Sequence, residues 1–276
     1  MASGDLTRIR TNIAALNALN ALKGINTKIN VHQLRLATGK RINQASDDPA
    51  GLTIAKKLDA RARSLSQALS NAGEAENVLS VAEGGANNIQ ELLVQMREKI
   101  VQAANDTLGT QERAAIFQQL QELGSEIDQI VRETTFNSIQ LLTNNATLTF
   151  QVGANGTDTL QFAVTGNFNS TALAVNSLTV SSQANASLSM NSVDLALVSV
   201  SSLLQNIGAK TQRLGVKQLS IQTNYTNTEA ARSRIEDADL AKEQLEASKL
   251  LILQQTATAI LAQANVQPQS ILSLFQ

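Results

Sequence analysis

Among its 276 residues the chain has no cysteine, no tryptophan, a single histidine and two prolines, and aromatics make up only 3%. Without cysteine there are no disulfide staples, thiolate metal ligands or thiol nucleophiles. His32 cannot form a histidine-pair metal site alone. It falls on a helical seam, where packing explains it better than ligation. A globular enzyme of this length would normally fill its core with aromatics. A shortage of them, with Ala, Leu, Asn, Gln and Ser abundant, suits helices lying close along their length. With 22 basic and 23 acidic residues the net charge is −1, which leaves no electrostatic footprint for nucleic acid or a membrane surface. Met1 to Arg10 is polar and lacks the apolar core of a signal peptide.

Charge is scarcest at the two ends. After Lys249 no charged residue follows, and none occurs between Arg10 and Lys23. In the tail, Leu253, Ala257, Ile260 and Ala264 recur at helical spacing, with a second file through Ile252, Ala259, Ala262 and Val266. Gln254, Gln255, Gln263, Gln267 and Gln269 interrupt this stretch, so it is not a membrane span. At the other end Ile9, Ile13, Leu16, Leu19, Leu22, Ile25, Ile29, His32 and Leu36 step by threes and fours. Two such helices exposed together would form a large apolar patch, so both are expected to need neighbours.

Between the ends the pattern is mostly helical. Ser46-Asp47-Asp48-Pro49 reads as a helix start, with capping oxygens and a proline where no amide donor is needed. The apolar stripe that follows runs through Leu58, Ala62, Leu65, Leu69, Ala72, Ala75, Leu79, Ala82, Ala86, Ile89, Leu93, Met96, Ile100 and Ala103, a coiled-coil seam with one slip near Ala72. Asn105 to Thr110 reads as a turn, and Ile116, Leu120, Leu123, Ile127 and Ile130 as a shorter helix folding back. Leu148 to Val152 and Leu160 to Val164 alternate around Gly153 to Gly156, a β-hairpin signal. Asn144 to Asn191 as a whole, the hairpin included, reads as loop with short strands. The seam resumes at Val193 and passes Leu197, Val200, Leu204, Ile207, Leu214 and Ile221. The fold class is therefore mainly α, with long antiparallel coiled-coil helices and a small β insert.

Several segments together resemble bacterial flagellin. They are Arg35-Leu-Ala-Thr-Gly-Lys-Arg-Ile-Asn43, Ala45-Ser-Asp-Asp-Pro-Ala-Gly-Leu52, Val101-Gln-Ala-Ala-Asn105, Thr135-Phe-Asn137, Arg213-Leu214, Ser233-Arg-Ile-Glu-Asp-Ala-Asp239 and the tail from Gln263 to Phe275. The resemblance covers about residues 5–142 and 190–276. It implies an inner D0 layer from residues 1–43 and 237–276, and a D1 layer from 44–190, which carries the hairpin and short variable insert, and 191–236. No large outer domain is expected. The implied function is a structural subunit, not an enzyme, exported unfolded and polymerised by burial of its terminal helices. It needs no cofactor, and it would lie outside the cell in the flagellum. The implied partners are other copies, an export chaperone, a filament cap and hook-associated proteins, with no nucleic acid and no membrane insertion.

The residues expected to carry assembly are Ile13, Leu16, Leu22, Ile29, Leu253, Ile260 and Leu274 in the inner layer and Leu65, Leu93, Ile100, Leu204 and Leu214 in the outer one. Asp47, Asp48, Arg234, Asp237 and Asp239 are expected to cap helices or form salt bridges. Ser138, Gln212 and Phe275 replace the Gly, Asn and Leu usual in the family. Gln95, Lys99 and Gln119 replace the Arg, Leu and Glu typical of flagellins sensed by Toll-like receptor 5, which implies weak recognition. A hook–filament junction protein has similar ends and is the nearest alternative. A filament-borne protease would need an insert and a zinc motif that are missing, and a secreted adhesin would not need two matching charge-free ends. Six Asn-x-Ser/Thr sequons, at Asn105, Asn145, Asn155, Asn169, Asn185 and Asn224, are what chance gives in so Asn-rich a chain.

Overall fold

The computed structural model describes residues 11–143, 147–164 and 166–272, with side chains as far as residue 266. Leu274 and the sequon at Asn145 lie outside these residues. In chain order the elements are α1 (Ile13–Thr38), α2 (Pro49–Ala103), α3 (Thr110–Glu133), β1 (Thr135–Phe136), β2 (Ile139–Gln140), β3 (Thr147–Gln151), β4 (Thr159–Ala163), α4 (Gln183–Glu236) and α5 (Leu240–Leu272). They divide into two compact units, residues 1–60 with 227–276, and residues 61–226.

In the first unit α1 and α5 lie antiparallel. Asn12 caps α1 by accepting from the Ala15 amide at 3.0 Å, and its own Nδ2 donates to the Ala264 carbonyl at 2.7 Å. Gln254 Nε2 donates to Asn26 Oδ1 at 2.6 Å, and Glu243 meets His32 and Arg35. On α5 the covered positions are Glu243, Ala247, Leu250, Gln254, Ala257, Leu261 and Ala264, spaced alternately by four and three. On α1 they are Ala15, Ala18, Leu22, Ile25, Ile29, His32 and Leu36, with the same spacing. This is a heptad seam, and its small residues let the two backbones approach. It differs from the stripe read off the sequence. That stripe drifts at its N-terminal end, and Ile13, Leu16 and Leu19 lie outside the seam, 49%, 51% and 36% exposed.

Gly39, in the left-handed region at φ 69°, ends α1 and returns its amide to the Arg35 carbonyl at 2.9 Å. A glycine there avoids the Cβ penalty that another residue would carry. The chain then pairs with the α4–α5 connection. The Arg41 amide donates to the Glu236 carbonyl at 2.7 Å, and the Ala238 amide to the Gly39 carbonyl at 2.9 Å.

In the second unit the core is one cluster drawn from α2, α3, α4 and the insert. Ala72, Ala82, Ala86, Ile89, Leu93, Met96 and Ile100 of α2 are fully buried, as are Ile127 of α3 and Val193, Val200 and Ile207 of α4. Arg97 Nε bonds Asp194 Oδ1 at 2.6 Å and Gln218 Nε2 bonds Glu76 Oε2 at 3.2 Å, so α2 and α4 run antiparallel here. α4 is long and apolar enough by composition to cross a membrane. Its Val193, Ala196, Val200, Leu203 and Ile207 are packed in this core instead.

Two sequence readings are corrected. The α2 seam passes through Ala68, 2% exposed, while Leu69 packs only partly against it, so the doubled three-residue step falls at Ala62, Leu65 and Ala68, one heptad before Ala72. α4 begins at Gln183, well before Val193, because a Ser- and Asn-rich opening turn hides its periodicity. The segment after β4 forms no strand among the described residues. Its Leu173, Val175, Leu178 and Val180 are nonetheless buried, and Asp128 of α3 holds it by accepting from the Ser170 amide at 2.7 Å and hydroxyl at 2.9 Å.

Two hairpins complete this unit. β3 pairs with β4 in the register Phe150↔Leu160, which turns Leu160 and Phe162 into the core. β1 and β2 close through Asn137 and Ser138 at φ 48° and 65°. Both central residues in the left-handed region make a primed two-residue turn. Ser138 occupies it at a cost glycine would not have.

Candidate functional site

Among the described residues no catalytic groups are gathered in one place. Among the described residues no three His, Asp or Glu side chains lie close enough to hold a metal. His32, the one imidazole, is bonded through Nδ1 to Glu243 within the α1–α5 seam. The chemistry on offer is surface chemistry, concentrated on the terminal helix pair.

That surface follows from the heptad seam. The seam covers a narrow strip, and the larger apolar side chains fall on either side of it. On α5, Leu245, Ile252 and Ile260 are 64%, 65% and 56% exposed, and Leu251, Leu253 and Val266 are also exposed. On α1, Ile13, Leu16, Leu19 and Leu34 are exposed. The seam mixes small residues with Leu22, Ile29 and Leu250, and many further branched side chains are left outside it, more than a helix pair standing alone in water would expose. Single exposed leucines are ordinary, but a continuous two-helix ridge of them marks an interaction face.

The expected inner-layer residues divide accordingly. Ile29, at 5% exposed, and the half-covered Leu22 belong to the seam, whereas Ile13, Leu16, Leu253 and Ile260 stand on the outer ridges. Of the expected outer-layer residues, Leu65, Leu93, Ile100 and Leu214 are buried in the core of the second unit, and Leu204 packs partly against it.

The acidic candidates do different work. Asp48 caps α2, its Oδ1 accepting from the Gly51 amide at 2.8 Å. Asp47 does not cap α2. Its Oδ2 closes the preceding turn by accepting from the Asn43 and Gln44 amides at 2.9 and 3.1 Å. Those two amides hold its carboxyl below the ordinary aspartate value. Asp239 caps α5 through the Ala241 and Lys242 amides, both at 3.1 Å. Asp237 sits in a backbone bridge with Lys40, and Arg234 is exposed with no ion-pair partner among the described residues. Glu236 stands in the same acidic stretch and forms its salt bridge within the subunit. It is 6% exposed and pairs with Lys40, while its carbonyl takes the Arg41 amide. Gly51 shows why the motif around Asp48 needs a glycine. A Cβ there would lie 2.3 Å from Asp48 Oδ2 and 2.8 Å from Ile42 Cδ1.

A mainly helical chain whose two end helices pair and leave apolar side chains uncovered defines the class of helical proteins that present an interaction surface. Comparison with known proteins gives the family. The bacterial flagellin N-terminal helical region matches residues 9–147, and the bacterial flagellin C-terminal helical region matches residues 190–275. A flagellin of Halalkalibacterium halodurans is 37% identical over 268 residues, spanning 95% of this chain and 98% of that one. A Bacillus subtilis flagellin is 35% identical, spanning 98% and 100%. A crystal structure of Bacillus cereus flagellin is similar in fold, with TM-score 0.50 and 23% identity, over 59% of this chain and 94% of that one. The chain belongs to the bacterial flagellin family and is a structural subunit of the flagellar filament, an extracellular assembly.

Proposed function

We infer that this subunit polymerises by burying, against other copies, the apolar ridges that its α1–α5 pair leaves uncovered. The observation that carries this is the set of branched side chains that the pair leaves open, with Ile252, Ile260, Leu16 and Ile13 all outside the narrow seam. On this reading residues 1–43 and 237–276 form the inner layer and 44–236 the outer one. Leu65, Leu93, Ile100 and Leu214 keep the outer layer rigid, while Ile13, Leu16, Leu253 and Ile260 make contacts between copies. The gain on assembly is hydrophobic burial, offset by the cost of ordering the terminal helices against their neighbours. A contact in which the donor and acceptor faces differ propagates as an open helix.

Export as an unfolded chain, with a dedicated chaperone, and growth beneath a filament cap on hook-associated proteins belong to the same reading through the family. Recognition by Toll-like receptor 5 is weak on this reading, since the exposed Gln95 and Gln119 and the half-exposed Lys99 offer none of the expected Arg, Glu or Leu side chains. Reporter cells given purified monomer would show little activation, and full activation would overturn the point.

The deciding experiment heats purified protein to monomer, cools it with short filament seeds and images it. The full chain should extend the seeds and a chain lacking residues 240–276 should not. If the full chain stays monomeric with α5 protected from protease, the exposed ridges have another purpose and the reading falls.

A further inference from the structure

A second surface, in the unit formed by residues 61–226, is polarised in charge. Between Leu195 and Thr226 the only charged residues are Lys210, Arg213 and Lys217 of α4, which lie on one stripe at i, i+3 and i+7. None of the three has an ion-pair partner among the described residues. Arg213 and Lys217 wall a cleft of about 270 Å³ whose apolar lining is Val152, Leu160 and Val216. Val216 and Leu219 beside it are 70% and 71% exposed. Two cations over an aliphatic floor suit a carboxylate on a short methylene stem, which is a glutamate side chain.

The complementary stripe is on α3. Glu122, Glu126 and Glu133 are exposed along one face at i, i+4 and i+11. Glu122 and Glu126 have no ion-pair partner among the described residues, and Glu133 accepts only an amide hydrogen from Gln129. The other charges of this helix bear on it little. Arg113 is buried near Asp106, Asp128 is bonded to Ser170, and Arg132 is one base beside three acids. Glu126 and Glu133 are seven residues apart, as are Lys210 and Lys217, a separation of about 10 Å along either helix.

We propose that α4 of one copy docks on α3 of the next, with Lys210 and Lys217 receiving Glu126 and Glu133, Glu122 extending the acidic stripe beyond them, and the glutamate nearest Arg213 and Lys217 entering the cleft beside Val216. The occupant is a second copy of this chain because both halves of the match are on the same subunit. Such a contact joins unlike faces, so it does not close on itself and can repeat along a filament. It rests on the self-assembly reading above and adds to it a charged contact, separate from the apolar ridges of α1 and α5.

The test reverses each half and then both. One variant carries Lys210→Glu, Arg213→Glu and Lys217→Glu, a second Glu122→Lys, Glu126→Lys and Glu133→Lys, and a third all six. Far-UV circular dichroism of each monomer checks folding, and glutamine substitutions replace any set that does not fold. Growth on short filament seeds is measured at low and high salt. Each single-face variant should need on the order of tenfold more subunit to grow, and added salt should narrow the gap. The six-fold variant should polymerise on its own seeds and fail on unmodified ones. Single-face variants growing like the unmodified chain would overturn the proposal, and so would a six-fold variant no better than either. The unmodified chain runs in parallel, and its failure to grow would instead sink the assembly reading.

Discussion

Replacing both Ile252 and Ile260 by alanine separates two roles that a terminal helix can have. The two side chains are 65% and 56% exposed and stand outside the α1–α5 seam. In the free subunit their removal should cost less than about 0.5 kcal/mol, as for ordinary surface positions. In the polymer they would be covered. Burying an isoleucine fully is worth about 1.5 to 3 kcal/mol, and a little over half of each is still open to water. After allowing for the carbon that alanine keeps, each truncation should cost about 1 kcal/mol of subunit addition, or about 2 kcal/mol together. That corresponds to a rise of roughly thirty-fold in the critical concentration for seeded growth. The assay is the residual monomer after sedimentation at several total concentrations, with thermal unfolding of the monomer as control. An unchanged critical concentration would refute the assignment of these ridges to contacts between copies. An equally large loss of monomer stability would show that they pack within the subunit.

Other expectations test the fold beneath that surface. Leu93→Ala, at a fully buried site, should lower the free energy of unfolding by about 2–5 kcal/mol in urea denaturation. Gly51→Ala should destabilise by about 1–3 kcal/mol, because its Cβ would collide with the Asp48 cap and Ile42, and hydrogen exchange should rise at the start of α2. Ser138→Gly should raise the melting temperature through a gain of about 1 kcal/mol, since the residue already sits at φ 65°. Asp47 has a folded value below its unfolded one, so its contribution is present above the unfolded value and is lost as pH falls through the folded one, below about pH 4. Exchange at the Asn43 and Gln44 amides should accelerate there, and Asp47→Asn should remove that pH dependence.

Much of this architecture is legible in the sequence because long helices repeat their signal. The α2 seam from Ala72 to Ala103 and the α4 positions Val193, Val200 and Ile207 are buried where periodicity puts them. What periodicity handles badly is a choice between adjacent apolar files. In α1 the file through Ile13 and Leu16 looks stronger than the one through Ala15 and Ala18, yet the latter faces α5, because an antiparallel pair drawn close favours small residues. The roles of Asp47 and Asp48 were confused for a related reason. Both precede a helix start, and only the path of residues 43–47 shows that one looks backward. The buried run from Leu173 to Val180 carries no period, since its shape follows Asp128 and Ser189 rather than its own backbone pattern.

The polar groups inside the α1–α5 seam have a consequence for how the subunit can misassemble. A seam of alanine and leucine on a seven-residue repeat would look nearly the same if one helix slid past the other by a full repeat. Asn12 with Ala264, Asn26 with Gln254, and His32 and Arg35 with Glu243 are satisfied together in only one alignment. Any slip strands a carboxylate or an amide against methyl groups. The pair therefore behaves as a key with unequal teeth. Substitutions on its outer ridges should change how strongly copies adhere, whereas substitutions at Glu243 or Asn26 should change where on the surface those ridges come to lie.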